Sequence, residues 1–141
     1  MVSPRTARKS GEASKTLIRL PDLAAPALKV CIPAAVKKQQ EHESWRRGTG
    51  RSSTTLAKYP DLRIVLVSMK TNTRMREHKA AGRLSIMTLT GCLRLHILDH
   101  TVDLPAGHLL TLDRCVSHDV EALRQSTFLL TIAWPHEDKR R

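Results

Sequence analysis

Residues 84–97, which read LSIMTLTGCLRLHI, decide the fold of this chain. In the second half, Leu93, Leu95 and Ile97 alternate with Arg94 and His96, the period of two of a strand with one buried face. The first half, 84–89, alternates in the same way but carries apolar residues on both faces. The Thr-Gly pair at 90–91 marks a turn between the halves. The stretch therefore predicts two short strands separated by a turn.

The same pattern continues on both sides of this stretch. Short apolar runs are separated by turn signals such as Asp99-His100 and Pro105-Ala106-Gly107. Their spacing is near ten residues, which leaves no room for helices between them. The pattern predicts an all-β, antiparallel sandwich or barrel. The further runs lie at 64–67, 102–104, 109–112, 118–122 and 127–133.

Length and composition predict one soluble domain. The chain has 141 residues, 40% of them hydrophobic, and an ordinary domain has roughly 100–150 residues. No apolar run approaches the ~20 residues that span a bilayer, so we expect no membrane contact. Three cysteines without paired spacing argue against a disulfide framework. We therefore expect buried thiols and a cytoplasmic location.

The net charge of +11 is concentrated near the start of the chain. Residues 1–38 have eight basic and two acidic residues, whereas residues 59–135 have nine basic and seven acidic ones. Aromatic residues, on which bases stack, make up only 3% of the chain. We therefore expect nucleic acid to bind weakly, if at all, through residues 1–47.

These distributions predict three parts: a basic extension (1–47), a barrel (54–135) and a charged tail (136–141). Within the extension, residues 1–38 are expected to be poorly ordered or loosely attached. Val36–Arg47 is expected to form a short helix anchored by Trp45. Residues 48–53, where Gly and Ser cluster, are expected to form a loop.

Two spaced patterns in the barrel resemble the motifs of the cupin family, which are small jelly-roll barrels. The first family motif is Gly, five residues, His-x-His, three or four residues, Glu, six residues, Gly. The chain keeps this spacing as Asn72, His78-Lys79-Ala80, Leu84 and Gly91. The second motif is Gly, five residues, Pro-x-Gly, two residues, His, three residues, Asn. It is matched in spacing by Gly107, Asp113-Arg114-Cys115, His118 and Ala122.

The resemblance implies a cupin-type jelly-roll barrel of the RmlC-like kind, with a metal site that is partly lost. Metal-binding cupins hold a divalent ion with three His and one Glu, and only His78 and His118 remain in those places. Ala80 and Leu84 occupy the other two. Because most catalytic metal sites need at least three protein ligands, the pair is expected to bind a divalent ion weakly, and no cofactor is assigned.

Several further residues are predicted to lie in or near this site. Alternation along the strands places Ala80, Leu84 and Ile86 with the two histidines as lining residues, and Cys115 joins them if its loop folds inward. Gly91 and Gly107 are expected to be structural turns. His96 and His108 are expected at the surface. Glu77 and Glu121 are expected to be solvated charges on the opposite side of their strands.

Three functions follow from these residues. The first is a stand-alone cupin-domain protein that binds a small molecule in its barrel with little or no metal-dependent catalysis. The second is a metal-dependent cupin enzyme, such as an oxygenase or isomerase, that uses His78 and His118. The third is polyanion contact through residues 1–47. The ligand, the reaction and the catalytic residues are not given by the sequence.

A homodimer is expected, because a barrel of about eighty residues has a limited core and exposed edge strands.

Overall fold

The structure, a computed structural model, describes residues 23–135. Its two helices are α1 (Ile32–Gln40) and α2 (Glu43–Arg46), and nine strands follow in this described part. The charged tail 136–141 and residues 1–22 of the basic extension, which were expected to be poorly ordered or loosely attached, lie outside the described residues. The strands are β1 (Arg51–Tyr59), β2 (Leu62–Met69), β3 (Arg74–His78), β4 (Arg83–Thr90), β5 (Cys92–Ile97), β6 (His100–Pro105), β7 (Leu109–Leu112), β8 (His118–Ala122) and β9 (Ser126–Ala133).

The strands form two antiparallel sheets that share one core. The five-stranded sheet has the order β1-β2-β9-β4-β7, and the four-stranded sheet has the order β3-β8-β5-β6. Alternate side chains of both sheets are buried together, which confirms the predicted all-β antiparallel fold. The buried core consists of Val67, Met69, Leu84, Ile86, Leu93, Leu95, Leu104, Leu112, Val120, Ala122 and Phe128.

The turn at Gly91 carries the chain from one sheet to the other. β4 belongs to the five-stranded sheet and β5 to the four-stranded sheet, although only Gly91 separates them. Gly91 has φ +84°, a left-handed conformation that glycine adopts at little cost. Residues 84–97 therefore form a corner between the two sheets.

One end of the barrel gathers the connections that matter for the site, and we call it the histidine end. It is formed by the β1–β2 turn, residues 79–82, the β5–β6 turn and residues 113–117. The backbone N–H of Cys115 donates to the carbonyl of Ala80 at 2.9 Å, which joins two of these connections. In the four-stranded sheet, β8 begins here at His118. In the five-stranded sheet, β9 ends here at Ala133.

The end of the basic extension is helical and packs against the outside of the five-stranded sheet. Gln39 of α1 is 2% exposed, and Trp45 of α2 is 6% exposed with the Lys70 ammonium 5.3 Å from its ring centroid. The helical extension and the anchoring role of Trp45 are thus confirmed. The expected single helix over 36–47 is divided into two, and it begins earlier, at Ile32. The expectation that the chain up to residue 38 is poorly ordered or loosely attached is therefore wrong for residues 32–38, which belong to α1.

The loop expected over residues 48–53 is shorter in the structure, where it ends before Arg51. β1 begins at Arg51, which pairs with Met69 of β2. A sheet edge gives polar Ser and Thr residues backbone partners, and that pairing decides their conformation in place of their preference for turns.

The thiols also differ from expectation, because Cys92 is buried whereas Cys31 and Cys115 are exposed. No helix between residues 23 and 135 is long and apolar enough to cross a membrane.

Candidate ligand site

His118 is a deeply buried ionisable side chain at the histidine end. It is 2% exposed and begins β8, where alternation places it on the same interior face as Val120 and Ala122. Its Nδ1 lies 2.9 Å from the carbonyl oxygen of Val116. A carbonyl oxygen only accepts, so Nδ1 carries a proton in this contact, and in a neutral ring the acceptor is Nε2. The backbone thus fixes which ring nitrogen is the acceptor.

The backbone register brings the second predicted histidine to this place. His78, at the end of β3, is the direct cross-strand partner of His118. On the other side, Ile97 of β5 is the cross-strand partner of His118. The two residues predicted from the spaced motifs, forty positions apart in the chain, are therefore neighbours in the four-stranded sheet.

The motif register also predicts backbone conformation where the residue type has changed. The family motifs place glycine at the positions of Asn72, Gly91, Gly107 and Cys115. All four have positive φ, at 69°, 84°, 85° and 59° respectively. The barrel therefore keeps the turns that those glycines serve, and it imposes them on an asparagine and a cysteine.

Replacing Cys115 with glycine is expected to stabilise the protein by about 0.5 kcal/mol, because a left-handed conformation costs a non-glycine residue more than glycine's extra chain entropy. Urea unfolding of C115G against the native chain measures this. The matched control is Ala81→Gly in the neighbouring connection, where φ is not positive. A81G is expected to destabilise by a similar amount, and the same sign for both variants would contradict the interpretation.

The predicted lining residues lie in different environments. Leu84 and Ile86 are 5% and 1% exposed and belong to the packed core. Ala80 is partly buried against that core. Cys115 is exposed, which differs from the expected lining position, because its loop turns with positive φ and hydrogen bonds through its backbone to Ala80.

The described residues do not complete a three-ligand metal centre around His118. Ala80 has no donor atom, and Leu84 is an apolar core side chain, so two of the places that the cupin resemblance implies lack ligands. Within residues 23–135, the side chains of Glu77 and His78 apart, no group of three or more His, Cys, Asp or Glu residues is arranged to hold an ion. The donor set therefore does not fit the family's metal site.

The remaining acidic residues near His118 lie on the outer face of the four-stranded sheet, where alternation places them. Asp119 accepts a 2.7 Å hydrogen bond from Arg74, and Glu121 Oε1 lies 3.4 Å from Nε2 of His96. The hydrogen bond from Arg74 to Asp119, together with the charge of that carboxylate, raises the pKa of the arginine. Glu121 and His96 thus contact each other outside the barrel and do not belong to the interior site.

A second ion pair on this face joins adjacent strands. Arg94 donates two hydrogen bonds to the Asp103 carboxylate, at 2.7 and 3.0 Å. These bonds lower the pKa of Asp103 from its ordinary value of 3.8. Both side chains are well exposed, so this pair makes a small contribution to the free energy of unfolding. His108, expected at the surface, is exposed in the turn before β7.

Structural comparison identifies the architecture. A conserved protein of unknown function from Streptococcus pyogenes superposes with a TM-score of 0.60 at 21% identity, over 63% of this chain and 78% of that one. A cupin-2 domain containing protein from Shewanella frigidimarina gives 0.60 at 16% identity, over 74% and 93%. KdgF from Halomonas sp. gives 0.56 at 19% identity, over 65% and 84%. No protein-family model matches the sequence, and no curated protein matches it either.

Proposed function

We propose, on the premise that the chain has the cupin jelly-roll fold, that it binds a small molecule inside the histidine end of the barrel, with little or no metal-dependent catalysis. The observation that carries the proposal is the buried imidazole of His118, oriented by the Val116 carbonyl. Small-molecule sites are mostly apolar and use a few fixed polar groups to orient the ligand. His118 supplies such a group.

The surroundings of His118 support binding by a neutral, hydrogen-bonding ligand. Ile97 lies across from it in β5, and Ala80 and Val116 pack against the same core. A hydroxyl or amide donor on the ligand would form a hydrogen bond to Nε2 of the neutral ring. In low dielectric such a bond discriminates strongly, because an unmatched polar group costs about 1–3 kcal/mol.

The donor set argues against the alternative of a metal-dependent enzyme. With alanine and leucine in two of the four ligand places, at most the two histidines would bind an ion. We therefore expect freshly purified protein to hold less than one divalent ion per chain, measured by elemental analysis. A stoichiometric metal that is lost when both His78 and His118 are changed to alanine would favour the enzyme instead.

His118→Asn is the variant that tests the binding proposal. An asparagine keeps a donor near the position of Nδ1 and removes Nε2, so the contact to Val116 is retained and the acceptor is lost. Isothermal titration against a panel of sugars, amino acids and small alcohols is expected to find a ligand whose affinity falls at least tenfold, about 1.4 kcal/mol, in H118N.

The matched control is His108→Asn, the same substitution in an exposed turn, and it is expected to leave the affinity unchanged. Thermal unfolding of both variants shows that the fold is retained. A panel in which nothing binds the native chain, or equal affinity in H118N, would reject the proposal.

A further inference from the structure

A pair of positive side chains lies at the histidine end, on the five-stranded sheet. Lys58 near the end of β1 and Arg63 near the start of β2 are direct cross-strand partners. On its other side Arg63 pairs with Ile132 of β9, so it shares the core-facing side of this sheet. Like charges directly opposite each other destabilise a sheet unless an opposite charge lies between them.

Within residues 23–135 no acidic side chain balances this pair. Neither Lys58 nor Arg63 forms an ion pair there, and the carboxyl group of Asp61 in the intervening turn is not bonded to either. The backbone carbonyl of Asp61 accepts a hydrogen bond from the N–H of Trp134 at 2.9 Å. The charge of the pair is thus left uncompensated in the described part of the chain.

Arg63 also has a hydrogen-bond donor that is not used. Its Nε is buried, and it has no hydrogen-bond partner among the residues that the structure describes. The guanidinium carbon of Arg63 lies 5.4 Å from the centroid of the Trp134 ring, within the range of a cation–π contact. A buried donor without a partner costs free energy, and native proteins leave few of them, often at binding sites.

These side chains line an open cavity of about 680 Å³. Its walls are Lys58, Tyr59, Pro60, Arg63 and Trp134, which include two positively charged and two aromatic residues. Tyr59 is held by its hydroxyl, which donates to the carbonyl of Ala25 at 2.6 Å. The cavity is therefore lined by positioned side chains, and its size suits a small ligand.

We propose that this cavity is a binding site for small organic oxyanions, in which Arg63 and Lys58 bind a carboxylate or phosphate group and Trp134 packs against its apolar part. The planar guanidinium group of an arginine has paired N–H donors that match two oxygens of one anion. Lys58, which is exposed, adds a second positive charge, so the bound anion would interact with Lys58 and Arg63 together. The anion would relieve the repulsion between the two cations. His118 is not among the residues that line this cavity, so the proposal does not depend on the His118 site.

The test uses the full chain and the two tryptophan indole N–H signals in an NMR titration at low salt. The probes are phenyl phosphate, benzoate and inorganic phosphate, with neutral benzyl alcohol as the uncharged comparison. Phenyl phosphate and benzoate are expected to shift the Trp134 signal with saturation in the millimolar range and to leave the Trp45 signal in place. The phosphate and benzoate arms show which oxyanion is preferred.

The variants Arg63→Gln and Lys58→Gln are each expected to weaken phenyl phosphate binding at least fivefold, and added salt is expected to weaken it in the native chain. Lys58 is exposed, so K58Q keeps the test valid if R63Q fails to fold. The control Lys37→Gln removes one positive charge from the exposed surface of α1 and is expected to change nothing.

Three results would overturn the proposal: no saturable shift of the Trp134 signal with any anion, an equal response to benzyl alcohol, or unchanged binding in K58Q. The variant H118N is expected to bind phenyl phosphate normally. Loss of phenyl phosphate binding in H118N would show that the anion occupies the barrel interior, which contradicts a separate site.

Discussion

Replacing Gly91 with alanine is expected to destabilise the protein by about 4 kcal/mol or more, a large part of the stability of an ordinary domain. The residue has φ +84°, and a Cβ there would lie 2.3 Å from both the backbone carbonyl oxygen of Gln125 and Oγ of Ser126. A backbone atom cannot move away as a flexible side chain can. The corner between β4 and β5 would therefore have to open.

The matched control is Gly107→Ala. Gly107 has nearly the same φ, +85°, but a Cβ there would meet no atom within 4 Å. G107A is expected to lose about 1 kcal/mol, the cost of the left-handed conformation alone. Urea unfolding followed by circular dichroism compares the two variants. Equal losses in both would show that conformation, and not the close approach to Gln125 and Ser126, decides the requirement at Gly91.

Replacing Gln39 with alanine is the second large expected effect, a loss of about 3 kcal/mol in the free energy of unfolding. The amide nitrogen donates to the Leu66 carbonyl at 2.7 Å and to the Thr54 hydroxyl at 2.9 Å. The amide oxygen accepts a 2.7 Å bond from the Ser68 hydroxyl. All three groups would lose a partner at once beneath α1, where Gln39 is 2% exposed.

Gln40→Ala is the control, since it makes the same substitution at the next position of α1 and therefore has the same effect on helix propensity. It is expected to change stability by no more than about 0.5 kcal/mol. Amide hydrogen exchange is expected to show faster exchange in α1 of Q39A and not of Q40A. Unchanged exchange and unchanged stability in Q39A would refute the role of Gln39 as the link between the extension and the barrel.

The strands that the sequence predicts best are those buried on one face. β5 and β8 lie where alternation and turn residues place them, because each has one apolar face against the core. β3 was less evident, since its residues RMREH are mostly polar, and it is a strand because it pairs with β8. The β5–β6 turn also lies one residue earlier than the Asp99-His100 signal, at Leu98-Asp99, and Leu98 has a positive φ.

Of the two candidate sites, one could be predicted from the sequence and the other could not. The spacing of the two motifs identified His78 and His118, and the structure makes them cross-strand neighbours. Nothing in the sequence pointed to Arg63, because residues 62–69 form a nearly continuous apolar run in which the two faces of the strand are not distinguished. Arg63 can be assigned to the cavity only when its cross-strand partners, Lys58 and Ile132, are known.

By itself the sequence determined an all-β barrel, its turns and the register of two motifs, because alternation and glycine placement are local properties of the chain. The tertiary structure decided which sheet each strand joins, since the choice between the sheets at Gly91 depends on contacts with residues more than thirty positions away. It also decided what lies beside His118, how Gln39 holds the helices, and where two positive charges meet without a partner. Those features depend on pairing between distant strands, which no local pattern specifies.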